Sequence, residues 1–147
     1  MLQLSIITPE RTIWDGQVEQ VTLTTTEGEI TVLPHHIPLV SVLAPGELRI
    51  MQDGKEMPMA IAGGFVEVLS GNRVAVLADD CLRVEEMDVA AIEAARERAR
   101  RALSEKRTMD DTSFADAAAA LQKELARLRV ARKHRRGAST PSALAKE

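Results

Sequence analysis

The sequence predicts an α+β chain in which strands come first and helices last. Three observations carry this: where the β-branched residues lie, how the apolar positions are spaced, and where the charge changes sign. Val, Ile and Thr number 24 in the first 87 residues and 6 in the last 60, while Ala rises from 5 to 16. Branched side chains suit a pleated, half-buried surface, and alanine suits a helix. Through Met87 there are 5 Lys/Arg against 13 Asp/Glu, net −8; from Asp88 onward there are 14 against 9, net +5. These breaks coincide, so the 147 residues divide into a strand-built domain at 1–87, a helical segment at 88–136 and a flexible tail at 137–147.

Within the first part, Val21 and Leu23, Ile30 and Val32, Leu48 and Ile50, Val66 and Val68, Val74 and Val76, and Leu82 and Val84 each skip one residue, the period of a strand. Turn signals fall between such runs at Asp15-Gly16, Glu27-Gly28, Pro45-Gly46, Asp53-Gly54, Gly63-Gly64 and Gly71-Asn72. Short strands with frequent glycine turns predict a sandwich or flattened barrel of about ten strands. From Asp88, a plausible N-cap, the period becomes helical, with Val89, Ile92, Ala99, Ala102 and Leu103 along one side. A second helix carries Phe114, Ala118, Leu121, Leu125 and Leu128 as a coiled-coil-like seam, with Ser113 and Asp116 resembling a capping box. Together they predict an antiparallel two-helix hairpin. Its apolar area is modest for the number of residues it must order, so its packing on the β domain should be marginal.

Composition also removes function classes. Two Phe, one Trp and no Tyr leave little to stack on bases or sugars. Cys81 stands alone, so neither an internal disulfide nor a thiolate zinc site is expected, and its acidic neighbour Asp80 should raise the thiol pKa. The longest uncharged run, residues 30–46, is broken by Pro34 and Pro38 and is no membrane helix. The first residues lack a basic n-region followed by a long apolar core, so no secretion signal or transit peptide is expected. There is no phosphate-binding glycine loop, nucleophile elbow or paired nucleophile and base, which argues against catalysis. His35 and His36 are adjacent on an extended segment and face opposite ways, so no metal is expected there. Asp79-Asp80 reads as a solvated strand end. The basic run Arg127, Arg129, Arg132, Lys133, Arg135 and Arg136 lies near a helix C-terminus, where the macrodipole favours cations, and no aromatics interleave it to suggest nucleic acid.

An ordered series of motifs resembles one family. Glu27-Gly28-Glu29-Ile30 leads into Leu33-Pro34-His35-His36-Ile37-Pro38-Leu39; Pro45-Gly46, Gly63-Gly64-Phe65-Val66-Glu67-Val68 and Asn72-Arg73-Val74-Ala75-Val76-Leu77-Ala78-Asp79 follow, then the Ala/Arg-rich hairpin. This order, over about residues 2–133, resembles the epsilon subunit of bacterial and chloroplast F-type ATP synthases. One position departs: the family usually has Gly where this chain has His35.

The resemblance implies a ten-stranded β-sandwich with a two-helix C-terminal domain, a noncatalytic rotor subunit of the proton-translocating enzyme that needs no cofactor. It implies contact with the gamma subunit, and with the c-ring loops through Glu29 and His36. It also implies that the released helices enter the alpha/beta catalytic head and block ATP hydrolysis, with Arg127, Arg129, Arg132 and Lys133 stabilising the blocked state. The expected location is the cytoplasmic face of the bacterial inner membrane, with membrane association only through the complex and no nucleic acid partner. Some relatives bind ATP through an Asp-x-x-Arg motif at the start of the first helix. Here Asp88 and Arg98 match two positions of such a site, but Ala91 stands where the motif has arginine. A free-standing adaptor and an ATP-sensing module are the competing readings.

Overall fold

The computed structural model describes residues 1–105 and 110–139, the last five of these by their backbone. Seven strands run in order: β1 (Leu2–Ile7), β2 (Thr12–Val18), β3 (Gln20–Thr25), β4 (Gly28–Val32), β5 (Leu39–Gln52), β6 (Lys55–Leu69) and β7 (Arg73–Arg83). A 3-10 turn at Val84–Glu86 leads to helices α1 (Val89–Ser104) and α2 (Asp111–Ser139). The strands form one sheet in the order β2-β1-β7-β6-β5-β3-β4, antiparallel except where β1 meets β7.

The sheet wraps around one apolar core. Leu2, Leu4 and Ile6 of β1, Val21 and Leu23 of β3, Leu48 and Ile50 of β5, and Val74 and Val76 of β7 all point into it. Alternation along each strand therefore selects the inward face, as the spacing predicts.

The expected count of ten strands becomes seven, for a local reason. Pro45-Gly46 and Gly63-Gly64 lie inside β5 and β6, where the strands bend, and Asp15-Gly16 lies inside β2 with unbroken pairing to β1, so none of these signals ends a strand. Pairing of β5 with β6 lapses between Val42↔Phe65 and Gly46↔Ile61 and then resumes. Gly63 and Gly64 sit at φ 66 and 103. A Cβ at Gly64 would strike the Leu77 carbonyl oxygen, and one at Gly63 would strike the Asp79 carboxylate. Only glycine allows the bend there.

The helices depart from expectation in length and phase. α1 spans 16 residues, and Asp88 caps it as expected, its Oδ1 accepting the Ala91 N–H at 3.2 Å. α2 spans 29 residues and begins before the expected Ser113 cap, because Asp110 Oδ1 accepts the Ser113 N–H at 2.8 Å. Its backbone stays helical through Ser139, into the segment expected to be a tail, and residues 140–147 lie outside the described residues. Phe114, expected in the helical seam, is 53% exposed. Burial begins further along, at Glu124, Ala126, Leu128, Val130 and Ala131, where α2 packs against α1 on one side and β5 and β6 on another.

Candidate functional site: a helix seated on a charged sheet edge

The outward faces of β3, β4 and β5 are polar because their inward partners fill the core. Same-face alternation places Glu47 and Arg49 two residues apart on β5, beside Thr22 and Thr24 of β3 and Glu29 of β4. Arg49 is the centre of this surface. Its Nη2 donates to Glu29 Oε1 at 3.2 Å and its Nη1 to Glu29 Oε2 at 3.4 Å; its Nε lies 2.8 Å from Glu56 Oε1 and its Nη1 3.5 Å from Glu47 Oε2. Hydrogen bonding to Glu29 holds the Arg49 pKa above its ordinary value, outweighing partial burial.

α2 seats on the same surface. Lys133 Nζ donates to Glu47 Oε2 at 2.7 Å, and His134 Nε2 lies 2.8 Å from Glu47 Oε1. Burial pushes the Glu47 carboxyl up, but the hydrogen bonds from Lys133 and His134 and the charges of Lys133 and Arg49 outweigh it, and the pKa falls below its ordinary value. A second anchor lies on β7, where Arg127 Nη2 donates to Asp80 Oδ2 at 2.6 Å. Asp80 is thus a docking partner for α2, which corrects the expectation of a solvated strand end. Arg127 also reaches Glu124 Oε1 at 3.3 Å, and Arg127 Nε and Glu124 Oε2 are buried without hydrogen-bond partners. Polar atoms left unpaired at a seam weaken it.

The four cations expected to form an inhibitory helix are thereby distributed. Arg127 pairs with β7, Lys133 with β5, and Arg132 lies 4.0 Å from Glu93 of α1. Arg129 lines a cleft of about 360 Å³ together with Glu29, Glu47 and Lys133. Sequence reading did not single out Glu47, Arg49 or His134. The available signal was a same-face Glu-x-Arg on an alternating strand, which is common on solvated sheets.

Glu29 is exposed near the start of β4, whereas His36 follows the far end of that strand, and the two share no hydrogen bond. The His36 N–H donates to the Leu33 carbonyl at 3.1 Å, and its Nδ1 lies 2.6 Å from the Ile37 carbonyl oxygen. His35 adopts φ 69, the left-handed conformation that glycine favours, and its N–H donates to Asn72 Oδ1 at 2.7 Å. The turn keeps the shape a glycine would take despite the side chain. Asp88 spends a carboxylate oxygen on the α1 cap, and Arg98 is exposed ten residues on, about 15 Å along the helix. The two are not brought together.

On another part of the sheet, apolar side chains face outward. Ile7, Leu77, Phe65 and Val42 are paired in register across β1, β7, β6 and β5, and each is at least 40% exposed. Val40 extends the row and is also exposed. A continuous apolar strip of this kind marks an interaction surface.

Comparison with known proteins matches this architecture. The family described as "ATP synthase, Delta/Epsilon chain, beta-sandwich domain" matches residues 1–84. The ATP synthase epsilon chain of Herpetosiphon aurantiacus is 42% identical over 134 residues, which cover 91% of this chain and 96% of that one. The chain belongs to the ATP synthase epsilon-chain family. The epsilon chain of Syntrophobacter fumaroxidans is 45% identical over 132 residues, 90% of this chain and 96% of its own. A chain of the Euglena gracilis mitochondrial ATP synthase, from a structure of OSCP, F1 and c-ring, superposes with TM-score 0.69 at 28% identity, covering 85% of this chain and 78% of that one. A chain from the central stalk and c-ring of the Tetrahymena thermophila enzyme shares the fold, with TM-score 0.55 at 19% identity, covering 90% and 95%. As an epsilon chain it is a noncatalytic stalk subunit, a peripheral part of the membrane complex. Among the described residues no helix is long and apolar enough to cross a membrane.

Proposed function

We propose that this epsilon chain couples the gamma shaft to the c-ring through residues 1–87 and restrains ATP hydrolysis through the hairpin at 88–136, followed by a tail at 137–147. The observation that carries the regulatory half is how α2 is seated: three of its cations pair with acids on β5, β7 and α1. The exposed pair Arg132–Glu93 is screened by salt, the half-buried pairs of Arg127 and Lys133 less so, and all three are reversible. A helix held this way can leave as a unit and present Arg127, Arg129, Arg132 and Lys133 to acidic segments of the alpha/beta head.

The coupling half rests on the exposed row Ile7, Leu77, Phe65 and Val42, which is suited to an apolar face of gamma, with Glu29 and His36 directed to the c-ring loops. The Euglena gracilis structural neighbour supports this setting, since it comes from an assembly containing a c-ring. The chain would then work at the cytoplasmic face of a bacterial inner membrane. The test is truncation after Met87 in the assembled enzyme. Assembly and ATP synthesis should persist while ATP hydrolysis rises. Hydrolysis unchanged under every nucleotide and proton-gradient condition would remove the inhibitory role.

A further inference from the structure

We infer that Arg49 links the edge carboxylate Glu29 to the seating of α2, so that neutralising Glu29, as a cationic group of a docked partner would, loosens the helix. The inference rests on the reading of Glu29 as facing a partner, and deepens it by giving that contact a consequence elsewhere.

The argument is one of shared ligands. The Arg49 guanidinium serves three carboxylates on three strands, Glu29 of β4, Glu47 of β5 and Glu56 of β6. Both of its terminal nitrogens go to Glu29, at 3.2 and 3.4 Å, and Nη1 also lies 3.5 Å from Glu47 Oε2. The same Glu47 oxygen is held more closely by Lys133, at 2.7 Å. If Glu29 is neutralised, the two terminal nitrogens lose their two-point partner; Nε stays with Glu56 at 2.8 Å, and the carboxylate oxygen left beside Nη1 is that of Glu47, at 3.5 Å. Arg49 then competes with Lys133 for it. Arg49 and Glu47 side chains are only 20% and 11% exposed, so solvent screens their interaction less than that of a surface pair. The cleft that Glu29 shares with Arg129 and Lys133 places the partner-facing carboxylate and the helix against the same space. Loss of the Glu29 charge also weakens the attraction of those cations, so both effects act in the same direction.

The relay can be separated from a diffuse field by a double-mutant cycle on the full-length chain. Native-state hydrogen exchange of α2 amides from Ala126 to His134 reads helix opening. Glu29→Gln should raise opening about two- to five-fold, the range of a partly exposed ion pair. In the Arg49→Gln background the same change should have a clearly smaller effect, since only the direct pull of Glu29 on Arg129 and Lys133 remains. Arg49→Lys keeps the charge without the two-point fork, and should also shrink the Glu29 effect; it serves if Arg49→Gln fails to fold. No change on Glu29→Gln, or an equal change in both Arg49 backgrounds, overturns the relay. Binding of Glu29→Gln to solubilised c-ring is scored separately: unaltered ring binding would remove the ring-facing reading while the exchange result judges the relay.

Discussion

Replacing Glu47 by Gln preserves side-chain volume and removes the charge that Lys133 and His134 share. Lys133 is 57% exposed, so its pair with Glu47 belongs at about 0.2–1 kcal/mol, the range of wet ion pairs. His134 is 25% exposed and contacts the other oxygen, adding a hydrogen bond worth about 1 kcal/mol. Together they amount to about 1–2 kcal/mol, or roughly a 5- to 30-fold rise in the population with α2 undocked. Hydrogen exchange should therefore quicken by that factor at amides of Ala126 to His134 and stay unchanged in β7. The acid side gives an independent check. Because the folded Glu47 pKa is depressed, its stabilisation is present above the ordinary value near 4.5 and is lost as pH falls through the folded value. Protection of α2 in the unaltered chain should decline across that window, and Glu47→Gln should remove that part of the decline. If Glu47→Gln exchanges like the unaltered chain at neutral pH, the ion pairs do not hold the helix.

Phe65→Glu or Leu77→Glu, each on the exposed apolar row, should leave the melting temperature nearly unchanged yet weaken capture of purified gamma at least about tenfold; full retention of binding would move the gamma contact elsewhere. Burial, aided by the charge of Asp80, pushes the Cys81 thiol up to about 12, so only about one molecule in ten thousand is thiolate at pH 8. Native protein should resist iodoacetamide for hours by mass spectrometry, and prompt alkylation would contradict the burial. Gly64→Ala should destabilise the β domain by about 3 kcal/mol or more in urea unfolding, since its Cβ meets the Leu77 carbonyl, whereas His35→Gly should cost little or stabilise.

The strand-to-helix order and the inward faces were legible because both follow from periodicity, which needs no knowledge of tertiary partners. Leu48 and Ile50, or Val74 and Val76, report their burial by spacing alone. Strand ends were less legible. Pro45-Gly46 and Gly63-Gly64 look like turns, and only the facing strand determines whether such a pair ends a ladder or bends it. The raised thiol of Cys81 was legible from its neighbour Asp80, though burial is the larger cause. The seat of α2 was not readable, because Asp80–Arg127 and Glu47–Lys133 join residues 47 and 86 positions apart. Phe114 was misplaced for a related reason: helical period defines a seam, but contact with the sheet decides which turns are covered.

The long bent strands have a mechanical consequence. Because β5 and β6 continue through the Pro45-Gly46 and Gly63-Gly64 bends, both sides of the barrel-like body are made from the same covalent chain. A twisting load applied at one rim passes along peptide bonds to the other and does not have to cross a sliding contact between separate sheets. In a stalk subunit, such construction favours stiffness in torsion.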